Sequence, residues 1–387
     1  MKRALDLPTG RLELALGRGA DELDALLGFA ARANARRGFL FLSKVLGKHW
    51  PSRPSAMLAV HERLAATVPQ ADGPVLFIAM AETAIGLGQG VFEAWLRRHP
   101  GRAALFLHTT RYRCGAGALI EFAEAHSHAP RQFLHAPVDP DLHARMLAAR
   151  TLVLVDDEAS TGNTFVNLAL ACRRLNPGLE RVHLATITDF MGPEATAGLA
   201  ARCGLPVSGG SLVEGRFSFA PGALAPDQGA AQRFDPDAER GASAGFGRLG
   251  LARALAAPDA LAGRLAGGFE PGARVLVLGT GEFMHAPTLL AAALERRGVD
   301  VAVQSTTRSP ILVWGAVAHA LDFPDNYGEG IANYLYNVAP GQYDHVLLCH
   351  ETAPAPALHA LARRLQARTA RLLHFQSEDR IEDLPVR

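Results

Sequence analysis

Lysine, cysteine and long apolar runs are all scarce in this sequence of 387 residues. Only three lysines occur, and the other members of its 39 basic residues are arginines. The four cysteines are widely separated, at positions 114, 172, 203 and 349, which excludes a disulfide scaffold and suits a reducing cytosol. No apolar run reaches the roughly 18–20 residues that a membrane-spanning helix needs, and the N-terminus lacks the apolar core of a signal peptide. We therefore expect a cytoplasmic protein without a membrane partner.

An excess of either charge is also missing. The 39 basic and 38 acidic residues leave a formal net charge of +1, so direct binding to nucleic acid is not expected. With 49% hydrophobic and 20% charged residues, the composition is that of a folded globular protein and excludes global disorder. At about 100–200 residues per domain, the length predicts two domains.

Apolar strand-like segments alternate with helical segments in both halves of the chain, which predicts an α/β protein. In the first half the predicted strands are 75–79, 104–107, 151–155 and 181–187, and the predicted helices are 86–98, 141–149, 162–175 and 193–203. In the second half the predicted strands are 274–278, 299–304 and 345–349, and the predicted helices are 286–297, 312–321 and 354–367.

A change of composition separates the two halves. Residues 208–245 are rich in Gly, Pro, Ser and Ala, which predicts a long connection or a loose cap. The expected domains are therefore 1–235 and 246–387, and the polar tail 376–387 is expected to be peripheral.

The most informative motif follows the predicted strand 151–155. Two adjacent carboxylates, Asp156 and Asp157, end the strand, and a short loop then leads into a helix. Unpaired backbone N–H groups and the helix dipole make such a loop a binding site for a phosphate group. The loop and first helical turn consist of Ser160, Thr161, Gly162, Asn163 and Thr164.

The two acids would repel a phosphate in contact with them, so they are expected to serve another part of the same ligand. At the carboxyl end of a strand they can accept hydrogen bonds from sugar hydroxyls or help to hold Mg²⁺. The arrangement therefore favours a sugar phosphate that is bound at both ends. The alternative is structural, with Ser160 capping the helix after an Asp-rich strand end.

This motif resembles the signature of type I phosphoribosyltransferases, which bind phosphoribosyl pyrophosphate (PRPP). The resemblance implies a parallel Rossmann-like sheet with an N-terminal hood, catalytic and Mg²⁺-holding roles for Asp156 and Asp157, and a 5′-phosphate site at 160–164. It also implies a mobile lid at 112–136. Pyrophosphate would be held by the loop after the first core strand and by a basic residue after the second, here Ala81, Glu82, Thr83 and Arg111.

Glu82 departs from that pattern, because an acid beside pyrophosphate is unfavourable. Two explanations stay open for it. Either Mg²⁺ lies between the two groups, or the carboxylate complements the dipole of the following helix.

The resemblance becomes more specific, from the superfamily to one branch of it, through three further stretches at 37–51, 81–88 and 305–310. Together they are similar to the phosphoribosyltransferase of bacterial tellurium-resistance-type stress operons, in which a TRSP domain follows the transferase domain. The tetrapeptide Thr-Arg-Ser-Pro, after which that domain is named, stands here at 307–310. The resemblance implies synthesis of a nucleoside-like metabolite and places Lys44, Lys48 and His49 in the hood, at the acceptor. The alternative is that 39–46 forms a buried helix whose lysines extend outward.

The second half repeats the first in outline. Each half has a strand, a Glu-bearing loop, a helix ending in Arg-Arg, a second strand and then Thr-Thr-Arg, which stands at 109–111 and at 306–308. The C-terminal domain is thus either a degenerate phosphoribosyltransferase-like repeat or a similar fold without duplication. Different strand orders in the two halves would exclude a repeat.

We expect a Mg²⁺-dependent enzyme that transfers ribose 5-phosphate from PRPP to a base-like nitrogen acceptor and releases pyrophosphate. A homodimer is one alternative for its assembly. The alternatives are a non-catalytic sensor of PRPP or nucleotides, a scaffold with the same fold, and the reverse reaction in nucleotide salvage.

Overall fold

The computed structural model describes residues 1–32, 37–70, 72–114, 119–123, 131–222, 242–243 and 245–387. In chain order the strands are β1 (Lys2–Leu7), β2 (Gly10–Leu16), β3 (Leu27–Ala31), β4 (Phe39–Ser43), β5 (Val75–Ala79), β6 (Ala104–His108), β7 (Leu119–Ala123), β8 (Arg131–His135), β9 (Thr151–Ala159), β10 (Arg181–Asp189), β11 (Val207–Pro221), β12 (Arg274–Gly279), β13 (Asp300–Ser305), β14 (Ala320–Pro324), β15 (Ala332–Tyr336), β16 (His345–His350), β17 (Thr369–Phe375) and β18 (Ile381–Pro385). The helices are α1 (Leu23–Leu26), α2 (Pro54–Ala65), α3 (Ile85–Arg98), α4 (Pro140–Leu147), α5 (Asn163–Leu175), α6 (Gly192–Cys203), α7 (Asp259–Ala266), α8 (His285–Glu295) and α9 (Pro356–Arg364).

The first half is built on a seven-stranded sheet of order β1-β2-β11-β10-β9-β5-β6. The strands from β11 to β6 run parallel, and the β1–β2 hairpin joins the sheet antiparallel to β11. Strands β5 and β6 are buried along their whole length, as expected where helices cover both faces of a parallel sheet. The carboxyl ends of β5, β6 and β9 therefore meet at one edge, where the predicted site residues follow them.

The second half has a five-stranded sheet of order β13-β12-β16-β17-β18. Its first four strands are parallel and repeat the order β6-β5-β9-β10 of the first half. An α/β fold with a second sheet is thus confirmed, and the shared strand order is the one that an internal repeat requires.

Loop hydrogen bonds repeat as well. In the first half the amide of Ala81 donates to Thr109 Oγ1 at 2.8 Å, and in the second half the amide of Gly281 donates to Thr306 Oγ1 at 2.9 Å. In each half the next residue after that threonine bridges to the second strand of a two-stranded hairpin, β7–β8 or β14–β15. The two halves therefore share loop connections as well as strand order.

Two local predictions are wrong, and one alternative is excluded. The first part of the segment predicted as a connection forms β11, because its first residues pair with β10 and its last residues pair with the N-terminal strand β2, whereas 223–241 lie outside the described residues. Residues 39–43 form β4 rather than part of a helix, since they pair with β3. The predicted helix at 312–321 is absent from this described stretch, because Leu312 and Ala316 donate their backbone N–H groups to β3 carbonyls.

The tail is less peripheral than expected, because β18 within it pairs with β17 and extends the second sheet. All four cysteines are free, in agreement with the absence of a disulfide framework. Within the ranges given above, no helix combines the length and the apolar character needed to cross a bilayer.

Candidate active site

The acid pair lies within β9 rather than at its end, directly after the last residue that pairs with β5 and where β9 still pairs with β10. Asp156 and Asp157 are both half-buried there. Asp157 Oδ1 accepts a hydrogen bond of 3.0 Å from the hydroxyl of Thr83, and the backbone N–H of Asp157 donates to Asp156 Oδ1 at 2.9 Å. The structure thus joins two motifs that the sequence predicted separately, the acid pair and the loop after β5.

The predicted phosphate loop follows the acids and ends at the start of α5. Ser160, Asn163 and Thr164 are half-buried, and Thr161 is exposed. Gly162 precedes the helix with φ of 72°, a left-handed conformation that favours glycine. The N–H groups of the first turn of α5 have no partners within the helix, so this end can accept an anion.

Substitution of Gly162 tests the loop conformation. A Cβ at this position would lie 2.6 Å from Leu199 Cδ2, whereas a Cβ at Gly101, which has φ of +80°, would meet nothing within 4 Å. We expect Gly162→Ala to lower the free energy of unfolding by about 1–3 kcal/mol and to weaken phosphate binding. Gly101→Ala is the matched control for the backbone cost alone. Equal losses in the two variants, measured by chemical denaturation, would contradict the close approach to Leu199.

A cation that the sequence analysis missed lies at this loop. Arg202, in α6, donates from Nη2 to Asn163 Oδ1 at 2.5 Å and from Nη1 to the carbonyl of Thr161 at 3.4 Å. Because α6 follows the next strand, no local pattern connects this arginine with the loop. It adds positive charge beside the predicted 5′-phosphate site.

A third acid, Glu158, is bonded to the predicted hood. Arg37 Nη2 lies 2.6 Å from both carboxylate oxygens of Glu158. Burial raises the pKa of Glu158, although Arg37 acts in the opposite direction. Arg32 is close enough to act on the same carboxylate, and burial lowers the pKa of its guanidinium to about 10. Two arginines of the N-terminal segment are therefore positioned near the acid end of β9.

The loop after β5 contains a buried and neutralised carboxylate. Glu82 Oε1 lies 2.7 Å from Lys48 Nζ, and Glu82 Oε2 lies 3.3 Å from Arg308 Nε. Burial acts to raise the pKa of Glu82, but Lys48 and Arg308 outweigh it and lower that pKa to about 2. Glu82 is therefore ionised and paired, which is an explanation that neither sequence hypothesis included.

The three residues expected at the acceptor have different surroundings. Lys48 is fully buried, and besides its ion pair it donates to the carbonyl of Gly281 at 2.6 Å. His49 is also buried, and burial, followed by the charges of Arg32 and Lys48, lowers its pKa to about 3. Lys44 is half-buried and donates to the carbonyl of Asp24 at 2.7 Å. Lys48 therefore bridges the two halves through its contacts with Glu82 and Gly281.

The loop after β12 carries the counterpart of Glu82. Glu282 accepts from the hydroxyl of Thr110 at 2.7 Å and from the backbone N–H of Arg111 at 2.9 Å. Arg248 also donates to Glu282, at 2.9 Å, and to Glu351 at 2.7 Å. The loop acid of each half therefore contacts the Thr-Thr-Arg segment of the other half. Glu282 contacts Thr110 and Arg111, and Glu82 contacts Arg308.

Two aromatic rings fill the space between these loops. Tyr112 and Tyr327 stack with centroids 4.7 Å apart and an interplanar angle of 13°. The guanidinium carbons of Arg308 and Arg248 lie 5.6 and 5.7 Å from the centre of the Tyr112 ring. Tyr327 is thus packed within the protein.

Comparison with known families agrees with this geometry. Residues 26–216 match the model of a phosphoribosyl transferase family, and residues 246–365 match the TRSP domain that stands C-terminal to such transferases. The chain belongs to this phosphoribosyltransferase family. It is therefore a glycosyltransferase with a C-terminal TRSP domain.

Solved structures similar to the transferase cover about half of the chain. Adenine phosphoribosyl transferase from Trypanosoma brucei, in complex with AMP, pyrophosphate and ribose-5-phosphate, is 12% identical with a TM-score of 0.35, over 50% of this chain and 80% of that one. The enzyme from Giardia lamblia, complexed with 9-deazaadenine, is 16% identical with a TM-score of 0.31, over 50% and 96%. Orotate phosphoribosyltransferase from Francisella tularensis is 14% identical with a TM-score of 0.30, over 50% and 83%. No curated protein matches the sequence.

Several charged residues around the candidate site were not predicted as such from the sequence. Arg202, Arg248 and Glu329 carry no local signal, because their partners lie on other elements. Arg308 had a signal in the repeated Thr-Thr-Arg pattern. In the predicted lid, β7 and β8 form a hairpin, whereas 115–118 and 124–130, including His126 and His128, lie outside the described residues.

Proposed function

We propose that this phosphoribosyltransferase transfers the 5-phosphoribosyl group of PRPP to a base-like nitrogen acceptor, as a step in making a nucleoside-like metabolite. The hydrogen bond from Thr83 to Asp157 carries the proposal, because it holds the diphosphate loop beside the acid pair that precedes the phosphate loop. In the reaction the bond from ribose C1 to the diphosphate oxygen breaks, and a bond from C1 to the acceptor nitrogen forms. Pyrophosphate leaves with the electron pair, and the N–H proton of the acceptor passes to water.

The acid pair is proposed to act on the ribose. Asp156 and Asp157 would accept hydrogen bonds from the ribose hydroxyls and stabilise the positive charge that develops on the sugar in an oxocarbenium-like transition state. Fixed carboxylates in a half-buried site need little reorganisation as this charge forms. The two aspartates would thus bind the transition state more strongly than the ground state.

The two ends of PRPP would be held by the loops on either side. Residues 160–164 would bind the 5′-phosphate at the start of α5, with Arg202 adding positive charge. Ala81, Thr83 and Arg111 would bind the diphosphate. Glu82 would keep this loop in place through its ion pairs with Lys48 and Arg308.

The acid pair also fits Mg²⁺. This ion is commonly held by one or two carboxylates together with substrate phosphate oxygens and water. Asp156 and Asp157 supply such a pair, and the described residues contain no larger His, Cys, Asp or Glu group that could hold a metal. When bound, the ion would neutralise diphosphate charge.

Acceptor-binding roles for Lys44, Lys48 and His49, domain boundaries at 1–235 and 246–387, a homodimer and a cytoplasmic location stay predictions. Because Lys48 is bonded to Glu82, its effect on the acceptor would be indirect. A stress-operon context of the tellurium-resistance type is likewise proposed from the sequence resemblance alone.

Calorimetric titration of PRPP with Mg²⁺ into the full-length protein tests the proposal. We expect micromolar-range binding that Asp157→Asn weakens at least tenfold. Asp189→Asn is the matched control, because Asp189 also lies at a strand end but accepts its bond from the backbone N–H of Met191. Absence of PRPP binding to the unaltered protein would contradict the proposal and favour the sensor or scaffold alternative.

A further inference from the structure

Arg308, within the Thr-Arg-Ser-Pro segment of the second half, lies against the diphosphate loop of the first half. Its Nε donates to Glu82 at 3.3 Å, and its Nη1 donates to both carboxylate oxygens of Glu329 at 2.7 and 2.8 Å. The Arg308 side chain is 10% exposed. One arginine therefore connects the transferase loop to the TRSP domain.

The third nitrogen of this guanidinium is not used. Nη2 of Arg308 is buried and has no hydrogen-bond partner among the residues that the structure describes. A buried cationic donor without a partner is costly, and such exceptions commonly mark a position that a ligand or water fills. A phosphate oxygen is a favourable partner, since a guanidinium can donate two parallel hydrogen bonds to it.

Three cations surround the loop acid of the first half. Lys48, Arg308 and Arg111 all act on the Glu82 carboxylate. Glu329 is the second carboxylate that contacts this set, through Arg308. Glu282 accepts a bond from the backbone N–H of Arg111 and also acts on Lys48 and Arg308, so three cations and three acids are grouped at this loop.

The arginine at the equivalent loop of the second half has a different set of hydrogen bonds. Glu282 is bonded to Nε and Nη2 of Arg248, and Nη1 of Arg248 donates to Glu351. All three nitrogens of Arg248 therefore have partners, whereas Arg308 keeps one donor. The asymmetry points to a ligand at the first-half loop.

We propose that Arg308 binds the diphosphate of PRPP, so that the TRSP domain completes the donor site of the transferase. This inference rests on the proposed function. The second half would thus contribute a diphosphate-binding residue to the site. Ribose 5-phosphate lacks the diphosphate and would not contact Arg308.

Calorimetry of the full-length protein with PRPP, pyrophosphate and ribose 5-phosphate separates the two ends of the donor. Arg308→Gln is expected to weaken binding of PRPP and of pyrophosphate about 10- to 100-fold, as for loss of a charge-assisted hydrogen bond, while ribose 5-phosphate binding changes less than about twofold. Glu295→Gln is the control for the contact between halves, because Glu295 accepts bonds from Ser55 away from this loop.

Two further variants keep the test decisive if Arg308→Gln does not fold. Arg308→Lys retains the charge but loses the fork, and it is expected to weaken diphosphate binding about tenfold. Glu329→Gln leaves the arginine in place and is expected to maintain or tighten that binding. Equal weakening in Arg308→Lys and Glu329→Gln, or equal weakening for all three ligands, would overturn the inference in favour of a structural role.

Failure of the inference differs from failure of the proposed function. If the unaltered protein binds PRPP and Asp157→Asn weakens it, but both Arg308 variants bind like the unaltered protein, only the inference is wrong. If the unaltered protein does not bind PRPP, the proposed function is wrong, and the inference with it.

Discussion

Asp157→Asn is expected to lower the kcat of phosphoribosyl transfer by on the order of 100- to 1,000-fold, as for loss of one electrostatic group that acts in the transition state. An asparagine retains the size of the side chain and its ability to accept the hydrogen bond from Thr83, but it removes the negative charge. Asp156→Asn is expected to act in the same direction. Steady-state kinetics with PRPP and an acceptor found by screening would measure both effects.

The control for this prediction is Asp189→Asn, which is expected to retain kcat within about twofold. Asp189 ends β10 and bonds to the backbone N–H of Met191 rather than to the diphosphate loop. If Asp156→Asn and Asp157→Asn both turned over at the unaltered rate, the proposed mechanism would be wrong. A rise in KM with unchanged kcat would place the aspartates in ground-state binding of the ribose.

Replacement of Arg248 by methionine is expected to have the largest effect on stability. The side chains of Arg248, Glu282 and Glu351 are each at most 1% exposed. Removal of the arginine leaves two buried carboxylates without their main cation, so we expect a loss of about 3–5 kcal/mol in the free energy of unfolding at pH 7. Chemical denaturation would measure it.

The pH dependence of this loss distinguishes charge from packing. Burial acts to raise the pKa of Glu282, but Arg248 outweighs it, so the pKa is lowered and the stabilisation from Glu282 is lost as pH falls through its folded-state pKa. In Arg248→Met only burial and weaker contacts remain, so the pKa of Glu282 is expected to rise. The deficit of the variant should therefore be largest at neutral pH and narrow toward about pH 4, near the unfolded pKa of glutamate.

Arg371→Met is the matched control for the loss of an arginine in an ion pair. Arg371 pairs with Asp383 at 2.6 Å, but its side chain is 50% exposed. Solvent screens such a pair, and its loss is expected to cost less than about 1 kcal/mol. Similar losses in Arg248→Met and Arg371→Met, or a deficit in Arg248→Met that does not change with pH, would contradict the buried-charge explanation.

The sequence alone was sufficient for the features that depend on short-range pattern. Apolar runs located β5, β9 and β12 to within a few residues, because buried parallel strands are nearly continuous in hydrophobicity. The acid pair and phosphate loop were recognisable because their residues are adjacent in the chain. The repeated Thr-Thr-Arg pattern suggested an internal repeat as one of two open explanations for the second half.

The tertiary structure decided which charged groups meet. The ion pair between Lys48 and Glu82, and the contact between Glu82 and Arg308, join residues that are far apart in the chain. Similarly, β11 is a strand because β2, which lies near the N-terminus and far from β11 in the chain, pairs with it. Local propensity cannot encode such contacts, because a buried charge or a sheet strand is stabilised only by a partner that the tertiary packing brings to it.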